Sequence, residues 1–258
     1  MALVYRNLYQ DEQVMLNLDI NDLSSEYEVI VEALILSLKS SATPESDQVL
    51  KMIEALRQNI QIISRLSSGV DNKNKPDIED DEVTKTGNYA LNLLDEISVS
   101  CASRGMQDQM LALHRLSLPI VYWLKSHNGK LIKLDIVVNA IASYANTIKD
   151  NKQLEVLCAV IENTIDVTDE SIKKDVEATN PMRPWRILNL NWGIVATRTH
   201  NPQIMQHVFD QLIKNIPDDS QQFFNEGMQQ MDLVAYPDAV REIMQKYAGG
   251  FGVHGVRH

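Results

Sequence analysis

The sequence predicts an all-α protein, and three observations predict it. Apolar residues recur at steps of three and four through most of the chain, which puts them on one face of a helix. The connections between such stretches are short and rich in helix breakers: "SRG", "SHNGK", "KDN", "THNP", "IPDD" and "AYP". No alternating segment is long enough to stand as a strand, and 10 glycines in 258 residues are few for a protein built on tight turns.

The elements follow in order. In "DLSSEYEVIVEALILSLKSS", Tyr27, Ile30, Val31, Leu34 and Leu38 form one stripe, with Asp22 or Ser24 as the cap. In "TPESDQVLKMIEALRQNIQIISRL", Thr43 caps, Pro44 takes the first helical position, and Val49, Ile53, Leu56, Ile60 and Ile63 line a face. The pair reads as an antiparallel hairpin and an N-terminal domain, 1–67. Residues 68–82 are polar, broken by Gly69 and Pro76, and end in five acids among six residues. Such a stretch buries too little apolar surface to offset its ordering entropy, so a flexible acidic linker is expected. The run lacks the spaced carboxylates and turn glycine of a calcium loop. A helical-repeat domain, 83–248, follows, with helices at about 83–103, 106–126, 131–149, 151–167, 185–199, 202–216, 219–232 and 237–247. Joints this short force antiparallel neighbours. Residues 249–258, "GGFGVHGVRH", read as a glycine-rich flexible tail.

Charge narrows the partners. A formal net charge of −11 repels phosphate backbones and anionic lipid, and no run of Lys and Arg offsets it. Nucleic acid and membrane surfaces are therefore not expected as partners. The first residues lack the basic-then-apolar pattern of a secretory signal, and no apolar run is long enough to span a bilayer. Two isolated cysteines, Cys101 and Cys158, make no disulfide framework, so a reducing, cytoplasmic setting is expected.

Two internal echoes stand out. "TIKDNKQL" at 147–154 and "TRTHNPQI" at 197–204 share Thr, Asn and Gln in register at an offset of 50 residues. Gly193 and Gly227 lie 34 residues apart, each inside a helix, where glycine costs about 1 kcal/mol relative to alanine and usually permits close packing. Phe209 follows the first by sixteen residues and Ile243 the second. Pro217 ends the first unit, and Phe223, Tyr236 and Ala239 mark the second. Residues 186–253 thus resemble the tetratricopeptide repeat, a helical hairpin of about 34 residues. Met205, Leu212 and Lys246 depart from that pattern by standing where the family carries small residues. The resemblance implies antiparallel hairpins stacked as a short α-solenoid, or a helical-bundle array that mimics one.

Chemistry is sparse. "NWGIVATRTHNPQIMQHVFDQLIKNIP" holds His200 and His207, yet no local Ser or Cys completes a nucleophilic set, and "THNP" has the composition of a bend. His254 and His258 sit among glycines, no histidine pair lies at ligand spacing on a firm helix, and no Glu is followed three residues later by His. No catalytic residue, metal or cofactor is implied. "NPMRPWRILNLNW" places Arg183 and Arg186 with Trp185 and Trp192 in an acidic chain, and Arg198 follows. That island reads either as a helix start with core tryptophans or as a recognition patch for an acidic peptide, residues 77–82 of this chain included.

The expected function is a non-enzymatic scaffold that binds a protein or peptide on the face lined by the first helix of each hairpin. That face carries Arg186, Ile187, Leu190, Ile194 and Arg198 from one unit and Gln221, Phe224, Met228 and Met231 from the next. One alternative is a small-molecule binder or enzyme with an apolar pocket between helices. Another is a homodimer through the N-terminal hairpin, where Leu34, Leu36 and Leu38 spread over adjacent faces.

Overall fold

A computed structural model describes residues 16–41, 43–68, 79–175 and 179–250, and these described residues form eleven helices and one isolated helical turn. In chain order they are α1 (Leu23–Ser41), α2 (Pro44–Ser68), α3 (Asp80–Ser103), α4 (Gln107–Arg115), α5 (Ser117–Ser126), α6 (Asp135–Thr147) and α7 (Asn151–Val167). The turn Glu170–Lys173 follows, then α8 (Pro184–Arg198), α9 (Pro202–Asn215), α10 (Pro217–Leu233) and α11 (Asp238–Ala248). The fold is all-helical. Among the described residues the β pairing is a single isolated bridge, Leu131 with Thr168.

The chain divides into two compact units. The first spans residues up to Ser143 together with Asn163–Asp169, and the second spans Tyr144–Glu162 and the chain from Glu170 on. The division expected at 68–82 therefore differs from the one the contacts make. Hairpin α1–α2 packs within the first unit, α2 on α3 and α1 on α4. The linker also ends sooner than expected, because Asp80, Asp81 and Glu82 already form the first turn of α3. Acids are favoured there by the positive end of the helix dipole. Residues 69–78 and 251–258, where most of the linker and tail were expected, lie outside the described residues.

In the first unit α1 buries Leu23, Tyr27, Val31, Leu34 and Leu38, and α2 buries Ile53, Leu56, Ile60 and Ile63. Each fully buried aliphatic contributes about 1.5–3 kcal/mol. The Tyr27 hydroxyl donates to the Ile53 carbonyl at 3.0 Å, locking the two helices in register. The helix expected over 106–126 is broken at Leu116. Pro119 is the cause: it has no N–H to give the Arg115 carbonyl one turn back, and its ring crowds that oxygen. The helix expected from residue 131 begins at Asp135, because Leu131 is held extended by its amide to Val167 O at 2.9 Å and its carbonyl to Asp169 N at 2.8 Å. One asparagine secures the approach. Asn88 donates to Thr84 O and Lys130 O, both at 2.7 Å, and its Oδ1 accepts from Ile132 N and Lys133 N at 2.8 Å.

In the second unit α8 and α9 run antiparallel. Trp185 Nε1, at the start of α8, donates to Asn215 O at the end of α9. Helices α10 and α11 do the same, with Gln221 Nε2 donating to Ala248 O and Arg241 Nη1 to Met231 O. The hairpins touch along both helices: Phe223 of α10 packs over Gly193 of α8, and Tyr247 of α11 donates to Asp210 of α9 at 2.7 Å. Their aromatic core joins Phe209, Phe223, Phe224 and Tyr247 at centroid distances of 5.1 to 5.9 Å.

Several buried positions recur at spacings close to those of the sequence echoes. Leu154, Leu157, Cys158 and Ile161 of α7 correspond, 51 residues on, to Met205, Val208, Phe209 and Leu212 of α9, and all eight are buried. Trp185, Asn189, Ala196, Met205, Phe209 and Leu212 correspond, 35 residues on, to Ser220, Phe224, Met231, Val240, Met244 and Tyr247, and all twelve are buried. Each spacing exceeds by one residue the spacing the sequence echoes give. Gly193 and Gly227 are therefore not equivalent. A Cβ on Gly193 would meet Phe223 Cζ at 2.5 Å and Leu212 Cδ1 at 3.0 Å, whereas one on Gly227 would meet the flexible Met244 side chain.

Candidate functional site

The arginine–tryptophan island folds as an ion-pair network that closes on itself. Arg183 is 4% exposed. Its Nε meets Asp175 at 2.6 Å, its Nη2 meets Asp219 at 2.5 Å, and its Nη1 donates to Asn180 O at 2.9 Å. Arg186 gives its Nε to the other Asp219 oxygen at 2.7 Å and its Nη1 to Pro181 O. Asp219 stands in the first turn of α10, where a carboxylate is favoured by the exposed helix amides. Burial alone pushes its carboxyl up, but hydrogen bonds from Arg186 and Arg183 outweigh that and hold it below its ordinary value. Two arginines and two aspartates balance, so the island offers little net charge to a ligand. Trp185 and Trp192 are core residues, at 3% and 2% exposure.

Arg198 is bound differently. Its guanidinium donates through Nη1 to the Ala145 carbonyl and through Nη2 to the Ile148 carbonyl at 2.6 Å, closing the C-terminal end of α6. Carbonyl oxygens satisfy its donors without cancelling its charge.

The solvent side of α8 carries an apolar stripe. Ile194 is 47% exposed, Ile187 and Leu190 are half-buried, and all three share one stripe with Arg198. On α10 Gln221 is exposed and Met228 is half-buried, but Phe224 and Met231 lie in the core at 2% and 3% exposure. Those two residues leave the expected surface. One residue of register turns a helix by about 100°. The α10 positions that answer to Ile187, Leu190, Ile194 and Arg198 at the 35-residue spacing are Gln222, Asn225, Gln229 and Leu233, all exposed.

Three described histidines, His114, His200 and His207, behave as structural groups. His200 is exposed at the α8–α9 turn with φ 57°, its ring edge-on to Tyr236. Asn201 caps α9 by accepting from Gln203 N and Ile204 N, and its Nδ2 donates to Glu155 Oε1 at 2.9 Å. His207 pairs with Glu162 at 2.7 Å and packs edge-on to Trp192. A Ser–His contact that sequence patterning does not reveal joins Ser98 and His114 at 3.1 Å. Ser98 is 2% exposed and gives its own proton to Asp95 O, which leaves it neither access nor a free proton for nucleophilic chemistry. Burial pushes the Cys101 thiol up to about 11 and the Cys158 thiol up to about 12. Among the described residues no three His, Cys, Asp or Glu side chains gather as a metal site, and no helix is long and apolar enough to cross a membrane.

Comparison with protein-family models, with curated proteins and with solved structures returned no match.

Proposed function

We propose that the chain is a non-enzymatic interaction scaffold, with hairpins α8–α9 and α10–α11 as consecutive units of a short α-solenoid that binds a partner peptide or helix. The observation that carries this reading is the stripe Ile187, Leu190 and Ile194, apolar on a helix whose opposite side is already spent on the core. The amide row Gln222, Asn225 and Gln229 flanks it in the matching positions of α10 and supplies hydrogen-bonding groups without charge. Affinity capture with Leu190→Asp and Ile194→Asp tests the reading, provided the variants melt with the parent. Partners retained by the parent and lost by both variants support it; an unchanged set of partners refutes it.

A second reading, self-association, is favoured by α1. Val29 and Leu36 are 74% and 67% exposed, seven residues apart on the face turned away from Leu34 and Leu38. Sedimentation of the parent and of Leu36→Lys decides it: a dimer that dissociates on substitution supports it, and a monomeric parent ends it.

A further inference from the structure

We infer that the partner segment carries an acidic side chain about one helical turn beyond an aliphatic anchor, and that this acid pairs with Arg198. The inference rests on the scaffold reading and adds the chemistry of the occupant. Three arginines border the α8 stripe, and two of them are neutralised: Arg183 and Arg186 share Asp175 and Asp219. Among the described residues Arg198 has carbonyl partners and no carboxylate at ion-pair distance. It is half-buried and lies four residues beyond Ile194, so cation and exposed aliphatic face the same way.

The surroundings sharpen the contrast. The matching row on α10 is uncharged through Gln222, Asn225 and Gln229, and the acid interleaved there, Glu226, is engaged by the Gln222 amide at 2.7 Å. The chain as a whole carries −11, so a basic partner would find attraction almost anywhere on it. An acid finds it at few places. An uncompensated cation at the end of an apolar stripe therefore sets register and orientation more than it sets encounter rate. Its planar fork, already fixed at two nitrogens by the α6 carbonyls, loses little freedom on pairing.

The experiment uses the full chain and a displayed library of helical peptides. Peptides that bind the parent but not Ile194→Asp are resynthesised and titrated at two salt concentrations. The expected motif is two aliphatics three or four residues apart followed by Asp or Glu. Changing that acid to its amide weakens binding about tenfold, as does Arg198→Gln, which keeps a donor for the α6 carbonyls and removes the charge. The two changes together cost no more than either alone. The peptide-side change leaves the protein untouched, so the outcome does not hang on the folding of Arg198→Gln. Peptides that need Ile194 but carry no acid, or ignore the acid-to-amide change, overturn this inference and leave the scaffold reading standing. A library with no binder sensitive to Ile194→Asp overturns both.

Discussion

Replacing Asp219 with alanine tests the network that joins the start of α8 to the start of α10. The carboxylate accepts two charge-assisted bonds, from Arg183 at 2.5 Å and Arg186 at 2.7 Å. Hydrogen bonds to charged groups contribute about 1.5–3 kcal/mol each, and a first-turn acid adds about 0.3–1 kcal/mol. Arg183 keeps Asp175 and the Asn180 carbonyl after the change, so its charge is not orphaned. The expected loss is therefore about 3 kcal/mol, the lower end for breaking a buried pair. Urea unfolding of Asp219→Ala measures it, and the neighbouring Asp218→Ala, exposed and carrying only the first-turn contribution, is the control at less than about 1 kcal/mol. The same pairing carries a pH signature. Because the folded carboxyl lies below its ordinary value, the unfolded chain binds the proton first as pH falls. The stabilisation is full above the unfolded carboxylate pKa and fades as pH drops through the lower folded value, and Asp219→Ala removes that share of the acid lability. A loss below about 1 kcal/mol for Asp219→Ala, with an unchanged acid profile, refutes the account of a buried network.

The two helical glycines respond differently to alanine. Gly193→Ala forces a Cβ against Phe223 and Leu212, and overpacking of about 1–3 kcal/mol outweighs a helix-propensity gain of about 1 kcal/mol. Gly227→Ala meets only the Met244 side chain, which can move aside, so thermal melts place it within about 0.5 kcal/mol of the parent. Burial lowers the His114 pKa although the Asp95 charge opposes it, so the unfolded chain takes up the proton first below about pH 6.5. Stability then falls as pH drops from that point through the folded value, and His114→Gln flattens the slope. Both thiols, raised by burial, resist a maleimide at neutral pH in the native chain and react on unfolding in urea; fast native labelling contradicts their packing.

Most helices, hairpin joints and core stripes were legible in the sequence, because a period of 3.6 residues is a local property; the count was not, since the one helix expected over 106–126 is two. Ile53, Leu56, Ile60 and Ile63 are buried as their spacing requires. What escaped was phase and pairing. Phe223 and Phe224 are adjacent, so either can point inward, and the 34-residue spacing of two glycines is one residue short of the spacing at which Trp185, Asn189 and Ala196 meet buried residues of α10. Pro119 was visible, but a proline near a helix start and one that splits a helix look alike until the next helix is placed. The acids that quench Arg183 stand 8 and 36 residues away, and no local periodicity selects them from the 35 in the chain. That Ile187, Leu190 and Ile194 share one side of α8 follows from their spacing; that Ile194 is exposed while Ile187 and Leu190 are half-buried is a property of the fold.

The fully engaged amide of Asn88 bears on how the chain ages. Loss of ammonia from asparagine begins when the following backbone nitrogen attacks the side-chain carbonyl carbon, which requires that side chain to swing back along its own helix. Asn88 is anchored on both ends of its amide and sits inside α3, so the swing would release four hydrogen bonds at once. The group that tethers residues 130–133 is thereby shielded from slow chemical decay.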